Sequence, residues 1–392
     1  MIVRGISRQI NEQAVLDQVL SGGPISRATL AQVLGLSKPT INSIVKDLHG
    51  LGIVRVEGQT NGHVGRTAAL YCVNDQVGCV MGIDVGGTKL NAVVANLLGV
   101  VLAEVLEPTA TGSANELIAQ IIRIRLDLAK KAGIPPTDIR VVTIGMPGII
   151  DPEMRLITHA PNLPLQEASD FVARLELALP GTSIQAFNDV NLAAIGERWR
   201  GLGQRMSDFA FLSIGTGVGL GLVINGELCE GFRGQAGEVG WLPVGGDPFD
   251  EANRKHGALE ERISGPAMTR RLNDLISQGL QTSLTVNDVP TDIFAAAALG
   301  DQVADHLVDD AARNIALAIA AICAVVGPEL VVLGGGIGSN EYLVERVRRY
   351  VPAVTPLSLR VEPSALGARA ALMGALSAAL REGRSKMLAW AE

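Results

Sequence analysis

The sequence predicts an α/β protein in two parts, a small winged helix-turn-helix head followed by a much larger body of apolar strands and helices. Three observations carry this expectation. Residues 1–74 contain three short helical patterns followed by two strand-like runs. Beyond them, glycine clusters recur at the ends of apolar strands. Charge is also uneven, with seven Lys/Arg against four Asp/Glu in residues 1–74 and 26 against 36 in the remainder. A mildly basic head on an acidic body suits a small anion-binding module attached to something larger.

Length and composition narrow the class. At 392 residues the chain is longer than one ordinary domain. Apolar residues make up 47% and aromatics 3%, so the cores must be aliphatic. The longest apolar runs, such as "IALAIAAICAVVG", fall short of the ~20 residues needed to span a bilayer. "MIVRGISRQINEQ" has no apolar signal-peptide core. Cys72, Cys79, Cys229 and Cys323 have neither metal-ligand nor disulfide spacing. These features predict a soluble protein of the reducing cytoplasm, with no membrane partner.

In the head, "NEQAVLDQVLSGG" places Val15, Leu16, Val19 and Leu20 on one helical face and stops at Gly22-Gly23. Ser26 is the expected cap of "RATLAQVLG", and Gly35 makes the turn. Ser37 caps "KPTINSIVKDLHG", where Pro39 is tolerated in the first turn and Ile41, Ile44, Val45 and Leu48 form the buried stripe. Lys38, Thr40, Asn42, Ser43 and Lys46 are left on the outer side. That spacing is a helix-turn-helix, whose second helix enters the DNA major groove with its N-terminal residues near base edges. "GIVRVEG" and "GRTAALYCV" read as two strands around a glycine-rich tip, which makes a wing with Arg55, His63 and Arg66 in reach of phosphate. A three-helix protein-interaction module is the competing reading of the helices; the wing and the charge excess favour DNA.

In the body, "GCVMGIDVGGTKLNAVVANLLGVVLAEVLEPT" predicts an antiparallel meander, with Asp84 ending its first strand and Gly86-Gly87 opening the turn. The chain continues as strand where a Walker or dinucleotide-binding loop would enter a helix. "SIGTGVGLGLVINGE" repeats the design. Two such hairpins, presenting backbone N–H groups with the hydroxyls of Thr88 and Thr216, would clamp a polyphosphate from both sides. A third glycine run, in "ELVVLGGGIG", lies between a buried strand and the helix "NEYLVERVRRYV". Any one cluster alone reads better as a tight turn; three at strand ends in this order read as a site.

Together "GIDVGGTK", "FNDVNLAAIGE", "IGTGVGLGLVINGE", "AGEVG", "VVLGGGIG" and "SALGARAALMGA" resemble the motifs of the ROK family of repressors and sugar kinases. With the winged head, the chain resembles its repressor branch, that of the xylose and N-acetylglucosamine repressors. The resemblance covers nearly the whole chain. It implies a two-lobed actin-like ATPase (ribonuclease-H-like) body, divided into 78–190 and 191–392 after a head of 1–74. By residue, it implies nucleotide contacts at Asp84, Gly86, Gly87, Thr88, Lys89, Thr216, Gly217, Gly334, Gly335 and Gly336. Sugar contacts are implied at Asn162, Asn188, Asp189, Glu238 and Glu260, with Asp189 as general base for phosphoryl transfer supported by ATP and Mg²⁺. Read without the resemblance, Asp189 is a helix N-cap, and Glu238 and Glu260 are solvated loop carboxylates.

One departure is specific. Family members usually place a histidine after the last glycine of the "GEVG" motif, followed by three cysteines, as a structural zinc site. Here those positions hold Trp241, Glu251, Asn253 and Ala258, with His256 nearby. No structural zinc is expected, and Trp241 is expected to fill the space by packing. The departure leaves open the order of the 242–258 loop and the sugar contact of the missing histidine. The whole reading is a homodimeric or homotetrameric regulator of a near-palindromic operator, sensing a small sugar. The alternatives are an ATP-dependent hexose or amino-sugar kinase, on its own or combined with the regulator, and a body that binds a non-sugar ligand.

Overall fold

The computed structural model describes residues 6–60, 67–158 and 169–390. Arg66 and His63 of the expected wing tip, and Asn162 and His159 of the expected cleft, lie outside those residues. The head opens with α1 (Ile6–Gly22), β1 (Ile25–Ser26), α2 (Arg27–Leu34) and α3 (Lys38–Gly50). Ser26 accepts from the Thr29 N–H and Ser37 from the Thr40 N–H, while Gly35 turns the chain at φ 65°. The wing is β2 (Val54–Gln59) paired antiparallel with β3 (Ala69–Val73). The short β1 adds to the far side of β3, a third strand that two residues were too few to announce.

The body repeats one sheet topology twice. The first lobe contains β4 (Cys79–Val85), β5 (Lys89–Asn96), β6 (Val101–Pro108), α4 (Ala114–Ala132) and β7 (Ile139–Met146). It continues through the short pair β8 (Ile149–Ile150) and β9 (Ile157–Thr158), then α5 (Phe171–Ala178) and β10 (Ser183–Asn188). Its sheet runs β10-β7-β4-β5-β6, parallel from β10 to β4 and antiparallel from β4 to β6. Helix α6 (Asp189–Arg200) then leads to β11 (Phe209–Ile214), β12 (Val218–Ile224) and β13 (Glu227–Leu228). Helices α7 (Glu251–His256), α8 (Glu260–Ile263), α9 (Gly265–Ser277), α10 (Pro290–Ala298) and α11 (Gln302–Val325) follow. The chain ends with β14 (Leu330–Gly334), α12 (Gly335–Gly338), α13 (Glu341–Val354), β15 (Arg360–Pro363) and α14 (Ala370–Trp390). The second sheet, β13-β12-β11-β14-β15, has the same order about its central strand and the same mixture of parallel and antiparallel pairs. This is the paired ribonuclease-H-like architecture expected of an actin-like body.

Helix α6 lies between the lobes, and α14 returns from the second sheet to pack on α6, β4 and β7 of the first. Glycines set the spacing. A Cβ on Gly374 of α14 would lie 1.7 Å from the Leu192 carbonyl oxygen, and one on Gly196 of α6 would lie 2.2 Å from that of Ala370. One on Gly82 of β4 would lie 2.7 Å from the Leu376 nitrogen. Toward the second lobe, Gly221 of β12 meets the Val190 carbonyl oxygen at 2.8 Å on the same measure. Backbone therefore packs directly on backbone along both flanks of α6.

Gly374→Ala is expected to destabilise the chain, because the contact is with a carbonyl oxygen that no rotamer change can move. The expected loss is at the upper end of, or beyond, the ~1–3 kcal/mol of an overpacked core. Gly50→Ala, where nothing lies within 4 Å, is the comparison and should show no loss. Thermal denaturation of both variants checks this.

Candidate functional site

The candidate ligand site gathers at the carboxyl ends of the parallel strands, where ligands of open α/β sheets bind. Asp84, near the end of β4, pairs in register with Gly145 of β7. Gly145 has no side chain, so the first residue of α6 can settle over it: the Asp189 Cα lies 3.7 Å from where a Cβ would stand. That brings two carboxyl groups to one corner. Burial, and next the Asp189 charge, push the Asp84 carboxyl up to about 7. Burial also raises Asp189, opposed by the N–H groups of Val190 and of Asp189 itself.

The cap of α6 is Asn188. Its Oδ1 accepts from the N–H groups of Val190 at 2.9 Å and Asn191 at 3.1 Å, and its Nδ2 donates to the Gly148 carbonyl at 3.0 Å. Asn188 thus aims the helix and ties it to the loop after β7. Asp189 is left free of the capping role that a bare reading of the sequence offered it. Its Oδ1 accepts from the adjacent Val190 N–H at 2.9 Å.

The three glycine turns fall where the strands deliver them. Gly86 donates to the Lys89 carbonyl at 2.9 Å, closing the first hairpin, and Thr88 and Lys89 are exposed at its tip. The buried Thr109, beyond β6, fixes this turn from outside: its Oγ1 donates to the Gly86 carbonyl at 2.7 Å and its N–H to that of Thr88 at 3.1 Å. The second turn is closed by the Gly215 N–H donating to Gly217 at 3.0 Å, and Thr216 is exposed. The third turn lies beside it, because β11 and β14 are parallel neighbours with Ser213 opposite Gly334. Gly335, at φ 80°, stands where a Cβ would be 2.3 Å from the Ile214 carbonyl oxygen, so only glycine fits. Gly336 faces open space.

Glu260 adjoins the second turn: its Oε2 accepts from the Val218 N–H at 2.8 Å. Burial raises its carboxyl, against that hydrogen bond and the nearby His256. Glu238 is exposed, in the turn leading to Gly240 and Trp241. Trp241 is 50% exposed and does not fill the interior, so the expected packing role is corrected. The backbone occupies that space instead. Gly257, at φ 95°, sits against the Gly240 carbonyl, and the Leu259 N–H donates to the same oxygen at 3.1 Å. Asn253 donates from Nδ2 to the Asp247 carbonyl at 2.7 Å, stapling the 242–258 loop across α7. Among the described residues no three His, Cys, Asp or Glu side chains converge to hold a metal ion.

On the head, Lys38, Asn42 and Ser43 are exposed along the N-terminal half of α3. Thr40 is partly covered, its hydroxyl 2.7 Å from that of the capping Ser37. Arg55 on β2 lies 3.9 Å from both Glu57 and Asp75, which partly neutralise it.

Two further groups join cleft to head: Glu197, which ends the motif "FNDVNLAAIGE" without having been given a role, and Arg384, which lies outside every motif. Glu197 of α6 is fully buried; its Oε1 accepts from the Ser364 hydroxyl at 2.5 Å and the Leu366 N–H at 3.1 Å, and its Oε2 from the Leu202 N–H at 2.8 Å. It locks α6 to the segment that starts α14. At the other end of α14, Arg384 donates to the Leu97 carbonyl at 3.0 Å; burial lowers its pKa and Asp17 of α1 opposes the shift. Met387 belongs to the same apolar cluster as Val15, Leu16 and Tyr71 of the head, and Trp390 packs on Gly78. The one signal available in sequence was the place of Glu197 at the end of that motif.

Comparison with known proteins agrees with this layout. A sequence profile described as the ROK family matches residues 80–382. The chain is 29% identical over 385 residues to the xylose repressor of Caldicellulosiruptor bescii, covering 94% of this chain and 95% of that protein. A solved ROK family transcriptional regulator, described as a homologue of the E. coli MLC protein, superposes with a TM-score of 0.80 at 22% identity, covering 98% of this chain and 99% of its own. The ROK glucokinase of Streptomyces griseus, solved with glucose and AMPPNP, matches at TM-score 0.64 and 26% identity, covering 78% of this chain and 100% of its own.

Two outcomes follow from the site. Between about pH 4, the ordinary carboxyl value, and about 7, folded Asp84 holds a proton that the unfolded chain releases, so this group lowers stability as pH rises through that window. Asp84→Asn should therefore raise Tm relative to the parent more at pH 8 than at pH 5; an equal change at both would contradict the assignment. Asn253→Ala should speed proteolytic cleavage within 242–258 while leaving the global Tm nearly unchanged, because the lost staple is local.

Proposed function

The chain belongs to the ROK family, and from that premise we propose that it is a sugar-responsive, DNA-binding transcriptional repressor. The observation that carries the reading is the joining of two features in one chain. A helix-turn-helix with exposed Lys38, Asn42 and Ser43 shares an apolar cluster with a body whose cleft holds the family's sugar and phosphate motifs. The coverage of a xylose repressor along nearly its whole length supports this over a kinase alone. In this reading α3 enters the major groove, Asn42 and Ser43 reach base edges, and Lys38, with Arg55 and Arg66 on the wing, contacts phosphate. Thr40, the fourth DNA contact on α3, would reach the groove beside them, its hydroxyl also meeting that of Ser37 at the start of the helix. A dimer or tetramer would set two such helices about 34 Å apart on a near-palindromic operator.

The sugar would lie between the lobes against Asn188, Asp189, Glu238 and Glu260, with Asn162 completing the set. The second reading, sugar kinase activity beside or in place of regulation, is favoured by the preserved phosphate turns and by the carboxyl pair Asp84 and Asp189. The donors suit ATP with Mg²⁺: Gly86, Gly87, Thr88, Lys89, Thr216 and Gly217 for phosphate, Gly334, Gly335 and Gly336 for the nucleoside end, and Asp84 for the cation. Bound there, the cation would neutralise charge on the phosphates. Asp189 would take the proton of the sugar hydroxyl. The positions of the family's zinc ligands hold Trp241, Glu251, Asn253 and Ala258, which supply no thiolate or imidazole.

Operator binding by surface variants tests the reading, since the shared cluster makes removal of the whole head a harsh probe. Asn42→Ala should cost ~1–3 kcal/mol on the operator and much less on random DNA, whereas Lys38→Ala should weaken both and reduce the salt slope by about 1. Unchanged operator affinity in both variants would contradict the assignment. For the kinase reading, Asp189→Asn should lower any phosphoryl transfer to sugar by ~10²–10⁴-fold while nucleotide binding persists. Turnover that survives would place the base elsewhere.

A further inference from the structure

We propose that Asn91 is a ligand-binding residue of the cleft, its amide oxygen accepting from a water on the divalent cation that accompanies a nucleotide. The inference rests on the nucleotide-binding part of the second reading above. Asn91 stands two residues beyond "GIDVGGTK", outside every motif. Its Oδ1 is buried and has no hydrogen-bond partner. Nearly all buried polar groups are paired, so an acceptor left without a donor needs a reason.

Strand register puts that amide beside the acidic corner. Asp84 of β4 pairs with Gly145 of β7 on one side and with Asn91 of β5 on the other, and Asn91 pairs in turn with Leu106 of β6. Residues opposite one another in a sheet project to the same face, the Cβ atoms of an antiparallel pair lying ~4.5–5.5 Å apart. One row across the sheet therefore reads Gly145, Asp84, Asn91, Leu106, and Asp189 rests over its first member. Neighbouring residues fix which face this is. Val80 of β4 and Val93 and Ala95 of β5 share an apolar cluster with Leu372 and Leu376 of α14, whereas Leu90, Ala92 and Val94 join the cluster of α4. Alternation along β5 carries the α14 face from Val93 through Asn91 to Lys89, which is exposed at the first glycine turn.

Neither neighbour in the row satisfies the oxygen. Leu106 has nothing to donate, and no hydrogen bond joins the oxygen to Asp84. Mg²⁺ keeps several of its waters and is bound through one or two carboxylates together with phosphate oxygens. Held by Asp84, such a hydrated ion presents O–H donors to the row, and the orphaned oxygen is the acceptor beside it. The residues present fit the group: a carboxylate for the ion, an amide oxygen for its water, and Lys89 with the glycine turn for phosphate. A neutral acceptor suits this place better than a third carboxylate, which would add negative charge beside Asp84 and Asp189 and repel phosphate.

The test titrates the full-length chain with AMPPNP by calorimetry, once with Mg²⁺ and once with EDTA in its place, and adds melting temperatures. The parent should bind AMPPNP more tightly with Mg²⁺. Asn91→Leu, which keeps the volume and removes the acceptor, should lose roughly tenfold of that gain. Without ligand it should melt no lower than the parent, because an unsatisfied group has been deleted, and Mg²⁺ with AMPPNP should raise its Tm less. Asn91→Asp keeps an acceptor and should keep the Mg²⁺ gain, while metal-free binding weakens because a carboxylate there repels phosphate. A Mg²⁺ gain in Asn91→Leu equal to the parent's overturns this inference alone, as does a parent that binds AMPPNP equally in both buffers. Where Asn91→Leu fails to fold, loss of the Mg²⁺ gain in Asn91→Asp overturns it. A parent that binds no AMPPNP in either buffer overturns the inference together with the nucleotide-binding reading beneath it.

Discussion

The architecture depends on how closely α6 approaches its neighbours. Gly196 and Gly374 let it touch α14 backbone to backbone, Gly145 lets its first turn rest on β7, and Gly219 and Gly221 let β12 close on its other side. At Gly196 and Gly374 the contacts are with backbone alone, while at Gly145, Gly219 and Gly221 the side chains of Leu192, Val190 and Ala194 fill the space the missing Cβ leaves. The start of the helix is therefore positioned by tight packing. Asp189, the first residue of that helix, inherits the position, and its proximity to Asp84 follows from the register of β4 on β7. Interiors packed this tightly shift between discrete arrangements more readily than they deform continuously.

That property gives the cleft a route to the head. Motion of the second lobe against the first must displace α6, α14 or both, and Glu197 binds the end of α6 to the segment entering α14. Helix α14 then runs beneath the first sheet to Arg384, Met387 and Trp390, where it meets α1 and the linker to the wing. The head is thus packed on the same element that packs on the ligand helix. In a dimer, a small rotation of α14 would change the separation of the two recognition helices, and a change of a few ångströms there spoils the match to half-sites one helical turn apart.

Much of this was legible in the residues because it is local. The caps Ser26 and Ser37, the turn at Gly35 and the stripe of Ile41, Ile44, Val45 and Leu48 require only neighbouring residues, and each lies where expected. The glycine turns were legible because glycine pairs at strand ends mark tight reversals of the chain. What escaped was long-range. Thr109 secures the first turn from a different strand end, Glu197 reaches a segment some 170 positions away, and the return of α14 to the first sheet is a matter of topology. The role of Trp241 was misread for a related reason: the loss of a metal site suggested a hole to fill, and the chain instead closes it with the Gly257 backbone and the Asn253 side chain.

In the proposed regulator, ligand in the cleft and DNA on the head would prefer different arrangements of α6 and α14. Linkage requires a sugar that favours one arrangement to change operator affinity by the same factor as operator changes sugar affinity, commonly ~1–3 kcal/mol. The direct measurement is operator affinity of the full chain at one fixed salt concentration, without and with a saturating sugar, because phosphate contacts make affinity salt-dependent. The account predicts release, about five- to 150-fold weaker binding when the cleft is filled. A sugar that saturates the cleft yet leaves operator affinity unchanged would contradict it.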